Sequence, residues 1–291
     1  MSSPAQAARG ARLPALPAPL AMIAGALSVQ LGGALAVHAF ERSTPLGVTF
    51  MRSLFAAAIL AVAVRSLPRT RAGWIAALPF GVVMGSMNAC FYEAIARLPL
   101  GVAVTIEFWG PIAVAVITSR RRLDLVWVAL AVAGVTLLGQ GFADAELAGL
   151  AFITAAGGLW AVYIVLARRL AHATTGAMGL APACVISAAM LATPGFASAG
   201  TTLFDPRVIV ACAALGLLGT AIPYAIEMYA LRRLPARTFS VLLSMHPAVA
   251  ALVGAVVLDQ GLPLRDIVAI ACVVAASAGA LASASRARAA Q

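Results

Sequence analysis

Four charged side chains interrupt otherwise apolar stretches of this sequence: Arg52, Glu93, Glu107 and Glu227. A charge at the centre of a bilayer costs roughly 2.5–3.5 kcal/mol on insertion scales, so each needs a partner, a cavity or a ligand. The chemistry open to them is binding and protonation. A carboxylate can hold an ammonium group or take up a proton, and a guanidinium can hold a carboxylate. Depth separates them: at about 1.5 Å per helical residue, Glu107 falls about 5 Å from the middle of its apolar run. Glu93 and Glu227 fall about 12 Å from the middle of theirs, close to the edge of a hydrocarbon core about 30 Å thick. Glu93 also precedes Arg97 by four residues, the spacing of a helix ion pair, and Glu227 stands near Arg232 and Arg233. For both, an interfacial ion pair competes with a substrate role. Glu107 has no partner nearby in sequence and must face a cavity or a charge on another helix. Arg52 is either an ion pair tying helices together or a counter-charge for a carboxylate.

Polar neighbours extend this set. Asn88 and Tyr92 are four residues apart and share a helix face, as do Tyr224 and Glu227 at a spacing of three. Such faces either join helices or line a pathway. Trp109, Trp160 and Tyr163 wall a pocket or pack in a core. Pro111 and Pro247 fall inside apolar runs, where they free backbone carbonyls that a cavity can use. Gly32, Gly33, Gly157 and Gly158 are most simply sites of close helix packing.

Catalytic signatures do not emerge. His38, His172 and His246 lack H-E-x-x-H spacing, no G-x-S-x-G occurs, and a chain without lysine has no P-loop. Cys90, Cys184, Cys212 and Cys272 all fall in apolar runs without C-x-x-C spacing, which argues against disulfides and metal sites. Neither a cofactor nor an enzyme activity is expected.

The elements that must carry these residues are membrane helices. Of 291 residues 63% are hydrophobic and 10% charged, with a mean hydropathy of +1.00, against about 25% charged in soluble domains. Apolar runs of helix-spanning length lie at about 20–40, 47–64, 74–96, 100–119, 124–142, 148–167, 176–193, 208–230, 238–258 and 264–283. The Ala34-Leu35-Ala36 triplet imitates a signal cleavage site, but the first run is too long for a signal core, so an uncleaved helix is expected. The longest connection, Pro194 to Arg207, is too short for a soluble domain.

Charge orients the ten spans. With the N-terminus inside, one side collects Arg9, Arg12, Arg65, Arg69, Arg71, Arg120, Arg121, Arg122, Arg168, Arg169, Arg232, Arg233, Arg237, Arg286 and Arg288. The other holds Arg42, Arg97, Arg207 and Arg265. That asymmetry puts both termini, 1–19 and 284–291, in the cytoplasm. Scattered in this way, the net charge of +10 serves orientation and not nucleic-acid binding.

A shift of 136 residues places Arg97-Leu98-Pro99 on Arg233-Leu234-Pro235, Pro111 on Pro247 and Asn88 on Tyr224. The expected architecture is therefore all-α integral membrane, ten transmembrane helices in two five-helix repeats, 20–142 and 148–283. Five spans per repeat make the second inverted relative to the first, as in many secondary transporters. Chance matching in so apolar a chain is the rival.

These residues resemble the drug/metabolite transporter superfamily, specifically its EamA-type members. Arg52 within Phe50-Met51-Arg52-Ser53-Leu54 is similar to an arginine early in that family's second helix. Glu107-Phe108-Trp109-Gly110-Pro111, Pro223-Tyr224-Ala225-Ile226-Glu227-Met228 and Leu243-Ser244-Met245-His246-Pro247-Ala248 resemble its threonine/homoserine exporter branch. The resemblance spans about 20–283. It implies a multi-pass secondary transporter of the bacterial cytoplasmic membrane that exports a small amino acid by alternating access. Glu107, Asn88, Tyr92, Tyr224, Glu227, Arg52 and Trp109 are the substrate-binding candidates, and the lipid bilayer and protons are the other partners. Glu107 and His246 are the coupling candidates, with His246 a departure, since that branch usually has a glutamate there. Export of another metabolite or a cationic drug is the alternative, and a membrane enzyme or receptor a more distant one.

Overall fold

The structure, a computed structural model, describes residues 17–64, 70–117, 124–139, 144–173, 180–223, 226, 230 and 242–289. Among the described residues the regular elements are all helical. In chain order they are α1 (Ala18–Phe40), α2 (Pro45–Val64), α3 (Arg71–Ile95), α4 (Leu100–Glu107), α5 (Trp109–Ile117), α6 (Asp124–Gly139), α7 (Asp144–Ala173) and α8 (Leu180–Ala199). There follow a 3-10 turn (Gly200–Phe204), α9 (Pro206–Gly216), a π turn (Leu217–Ala221), α10 (His246–Val257) and α11 (Leu264–Ala289).

Five of these stretches are long and apolar enough to cross a membrane: Pro19–Phe40, Pro45–Ala63, Arg71–Ile95, Leu147–Leu166 and Leu180–Phe204. Shorter apolar helices lie at Leu100–Val114, Leu125–Leu137, Pro206–Ala221 and His246–Val257. Large apolar side chains such as Val62, Ile117, Val210 and Val256 point outward, which suits a lipid environment and not water.

Local sequence explains where the helices start. Thr70 caps α3, its hydroxyl accepting from Gly73 N at 3.3 Å. Asp205 caps α9, its carboxylate accepting from Arg207 N at 2.8 Å, with Pro206 in the first turn. Leu100 N, at the start of α4, donates to Gln260 Oε1 at 3.0 Å.

Three features depart from uniform spans. The first concerns the Pro194–Arg207 connection, which the sequence marks as a loop but which is mostly helical: α8 runs through Pro194 to Ala199. Packing overrides the proline here, because Gly195 lies against Phe50 of α2 and Phe196 stacks on the same ring at 5.1 Å. The second is a break in the fourth run at Phe108, between α4 and α5. Pro111 lacks the N–H that the Glu107 carbonyl would accept in an unbroken helix, and its ring crowds that carbonyl. The third is the π turn at the end of α9.

Without a hydrophobic drive between helices in lipid, close packing at small residues holds such a bundle together. A Cβ on Gly101 of α4 would overlap Ala251 of α10, one on Gly32 of α1 would press on Gly219 of the π turn, and one on Gly134 of α6 would meet Ala269 of α11. The pairs in contact include α2 with α8, α3 with α7, α3 with α8, α2 with α9, α1 with α9, α4 with α10, and α6 with α11.

Candidate functional site

Arg52 projects from α2 into the bundle and is 6% exposed. Its Nη1 donates to Thr220 Oγ1 of the π turn at 3.0 Å. The guanidinium carbon lies 5.1 Å from the centroid of the Tyr92 ring on α3, a cation–π contact. Its Nε is buried without an acceptor among the described residues. No carboxylate among the described residues forms an ion pair with it.

The π turn makes this meeting possible. One extra residue per turn widens the backbone and brings Thr220 towards α2. Its Leu218 carbonyl accepts from Ser28 Oγ of α1 at 2.8 Å, which fixes the distorted segment from the other side. Gly32 of α1 and Gly219 let the two backbones approach.

Beside the guanidinium is a cavity of ≈ 40 Å³ lined by Arg52, Ser53, Ala56, Met84, Asn88, Cys184, Gly219 and Thr220. Asn88 Nδ2 donates to the Met84 carbonyl one turn back at 2.7 Å. Ser53 Oγ donates to Thr49 O at 2.8 Å and lies 3.4 Å from Ser187 Oγ of α8. The cavity wall is thus polar on the α2 and α3 sides and carries one positive charge.

Glu107 is the last residue of α4, at the helix break, and is 8% exposed. Its side chain has no hydrogen bond or ion pair among the described residues. It does not line the Arg52 cavity. Phe108, which follows it, is fully buried against Trp160 (centroids 5.0 Å) and His246 (6.2 Å). His246 is itself buried at the first residue of α10, next to Pro247. Two buried ionisable groups thus adjoin Phe108, Glu107 in sequence and His246 in ring contact, each at a helix interruption.

The structure divides the remaining candidates. Asn88 joins Arg52 at the cavity, and Tyr92 supports the guanidinium from the side, with Phe40 against its ring edge at 5.7 Å. Trp109 turns to α7, donating from Nε1 to Thr154 O at 3.1 Å and covering Gly157 and Gly158. Glu93 pairs with Arg97 at 2.5 Å, and Arg97 also covers the Phe152 ring. Tyr224 and Glu227 lie outside the described residues.

Sequence reasoning passed over Thr220, Ser53, Met84, Cys184 and Gly219. One signal was available: under the 136-residue shift Met84 falls on Thr220, and both line the cavity. Gln30 of α1 was also passed over; it is buried, and its Oε1 has no donor.

A profile described as the EamA-like transporter family matches residues 147–282. The threonine/homoserine exporter RhtA of Escherichia coli (strain K12) is 40% identical over 270 residues, 91% of this chain and 90% of that protein. The protein of the same name from Salmonella typhimurium (strain SL1344) is 39% identical over 266 residues, 89% of this chain and 90% of that protein. A solved crystal structure 20% identical in sequence superposes with a TM-score of 0.61, over 90% of this chain and 98% of its own, and so shares the fold.

Proposed function

Because the chain belongs to the EamA-like transporter family, a family of transporters and not of enzymes, we propose that it exports threonine- and homoserine-like amino acids by alternating access. The cargo rests on one observation: relatives named threonine/homoserine exporters are about 40% identical along about nine-tenths of both chains. In this reading the protein sits in the bacterial cytoplasmic membrane with both termini inside, ten spans forming two inverted repeats, 20–142 and 148–283.

Several features support the repeat. The helix break at Phe108 falls, under the 136-residue shift, on Ser244, where a turn at 244–245 separates the helical residues 242–243 from α10. Each break lies three residues before a proline, Pro111 or Pro247. The two interrupted helices pack on each other through α4 and α10. Exchanging the halves maps the contact of α3 with α7 onto that of α9 with α1, and α3 with α8 onto α9 with α2. It leaves the pairs α2 with α8 and α6 with α11 facing themselves. Interrupted helices at the junction of two repeats are where such transporters hold their ligands.

A zwitterion needs an acceptor for its ammonium and a donor or cation for its carboxylate. Among the described residues Glu107 is a buried anion and Arg52 a buried cation suited to these two roles, and protonation of Glu107 would exchange an incoming proton for outgoing cargo. Cells expressing the protein, loaded with threonine, homoserine and unrelated amino acids, test the cargo directly. Selective efflux of the first two is expected. Efflux limited to cationic drugs or other metabolites would overturn the cargo while leaving the family unchanged.

A further inference from the structure

The cavity beside Arg52 is enclosed by two pairs of helices that the 136-residue shift relates to each other: α2 with α8, and α3 with α9 and its π turn. It therefore lies along the line about which the halves would exchange, where a ligand could be reached in turn from either side. One charge breaks the correspondence. Arg52 falls on Ala188 under the shift, so the first repeat brings a cation where the second brings a methyl group.

We propose that this cavity is the carboxylate subsite of the transporter, in which the Arg52 guanidinium, aimed by Thr220 and Tyr92, holds the free carboxylate of the cargo. This rests on the export reading and makes it more specific. A guanidinium offers five N–H donors, of which Thr220 takes one. Among the described residues the Nε donor is buried without an acceptor and no carboxylate pairs with the guanidinium, a costly state for a cation unless an anion reaches it. The space fits that role. A single water needs roughly 10–15 Å³ of such free space, so ≈ 40 Å³ admits a carboxylate group but not a whole amino acid. The ammonium and side chain would extend beyond the cavity, and selection at this position is for the acid group alone. Amides, esters and lactones of the same amino acids would be rejected because they leave the guanidinium buried and unpaired.

The test uses the purified full chain and two readouts, ligand-induced thermal stabilisation in detergent and counterflow of labelled threonine in proteoliposomes. The competitors are threonine, homoserine, threonine amide and homoserine lactone. Wild type is expected to prefer the acids over the amide and lactone by roughly 10- to 100-fold, the range for a buried charge-assisted contact. In Arg52→Gln that ratio should fall towards unity, and Arg52→Lys should restore part of it. If Arg52→Gln does not yield folded protein, Thr220→Val, which removes only the hydroxyl that aims Nη1, must lower the same ratio at an unchanged melting temperature. An unchanged ratio in these variants, or a wild type that accepts amide as well as acid, overturns the subsite. Transport of threonine without any acid preference leaves the cargo standing and removes the subsite. Arg52-dependent stabilisation by other carboxylates, with threonine inert, removes the cargo and keeps the subsite.

Discussion

A carboxyl that is 8% exposed at a helix break, with no partner among the described residues, is costly to keep charged. If the proposed export is proton-coupled, Glu107 is the residue at which the coupling is expected. Glu107→Gln keeps the volume and the acceptor oxygen but cannot titrate. In proteoliposomes, wild-type flux should rise when a pH gradient drives protons against the cargo, whereas the variant should exchange cargo at a rate indifferent to the gradient. A variant that still responds to the gradient would place coupling elsewhere, with His246 the next candidate. At this scale the sequence is legible where partners are local. The Glu93–Arg97 pair is visible as a four-residue spacing, and the structure contains it. The Arg52–Thr220 contact is not visible, since its partners are 168 residues apart and nothing in either local sequence specifies the other. Trp109 illustrates the opposite outcome: an aromatic next to a buried glutamate could wall a pocket, but two glycines on α7 give its indole a flat surface to pack on.

Among the elements, the interruption between α4 and α5 carries the most consequence, because it fixes the position of Glu107 and Phe108. It is held by contact with α7. A Cβ on Gly110 would overlap the Gly157 carbonyl, and a Cβ on Gly157 would strike the Trp109 indole and the Glu107 carbonyl. Gly157→Ala should therefore destabilise the protein by about 1–3 kcal/mol through overpacking and disturb flux. Gly261→Ala, where nothing lies within 4 Å of the added atom, should leave both unaffected. Thermal unfolding of the two variants alongside wild type checks this, and equal melting temperatures would mean the α5–α7 contact is looser than described. Helix positions follow from hydropathy, and the interruption follows from Pro111, because a proline's effect on the preceding turn is local. The helical course through Pro194 does not follow from sequence, since it depends on Phe50 and Phe196 meeting across two helices. Nor does the π turn, which depends on Ser28 and Gly32 of α1 lying against it.

At the scale of the whole molecule, the proposed repeat, with an odd number of spans in each half, would relate the two halves by a two-fold axis lying in the membrane plane. The facing pairs α2–α8 and α6–α11 suit that geometry, as does the recurrence of a helix break three residues before Pro111 and before Pro247. The proposed repeat is suggested in the sequence by R-L-P and a later proline recurring in register. The cavity is not legible there, because its lining comes from α2, α3, α8 and the π turn, far apart in the chain. The proposed cargo is best tested on the intact protein. The most direct measurement is net flux of labelled threonine and homoserine across proteoliposomes containing the purified chain, compared with protein-free vesicles. Saturable movement of both amino acids, chemically unchanged and above the rate for unrelated ones, is expected. Folded, correctly inserted protein that moves neither would contradict the assignment as a threonine/homoserine exporter.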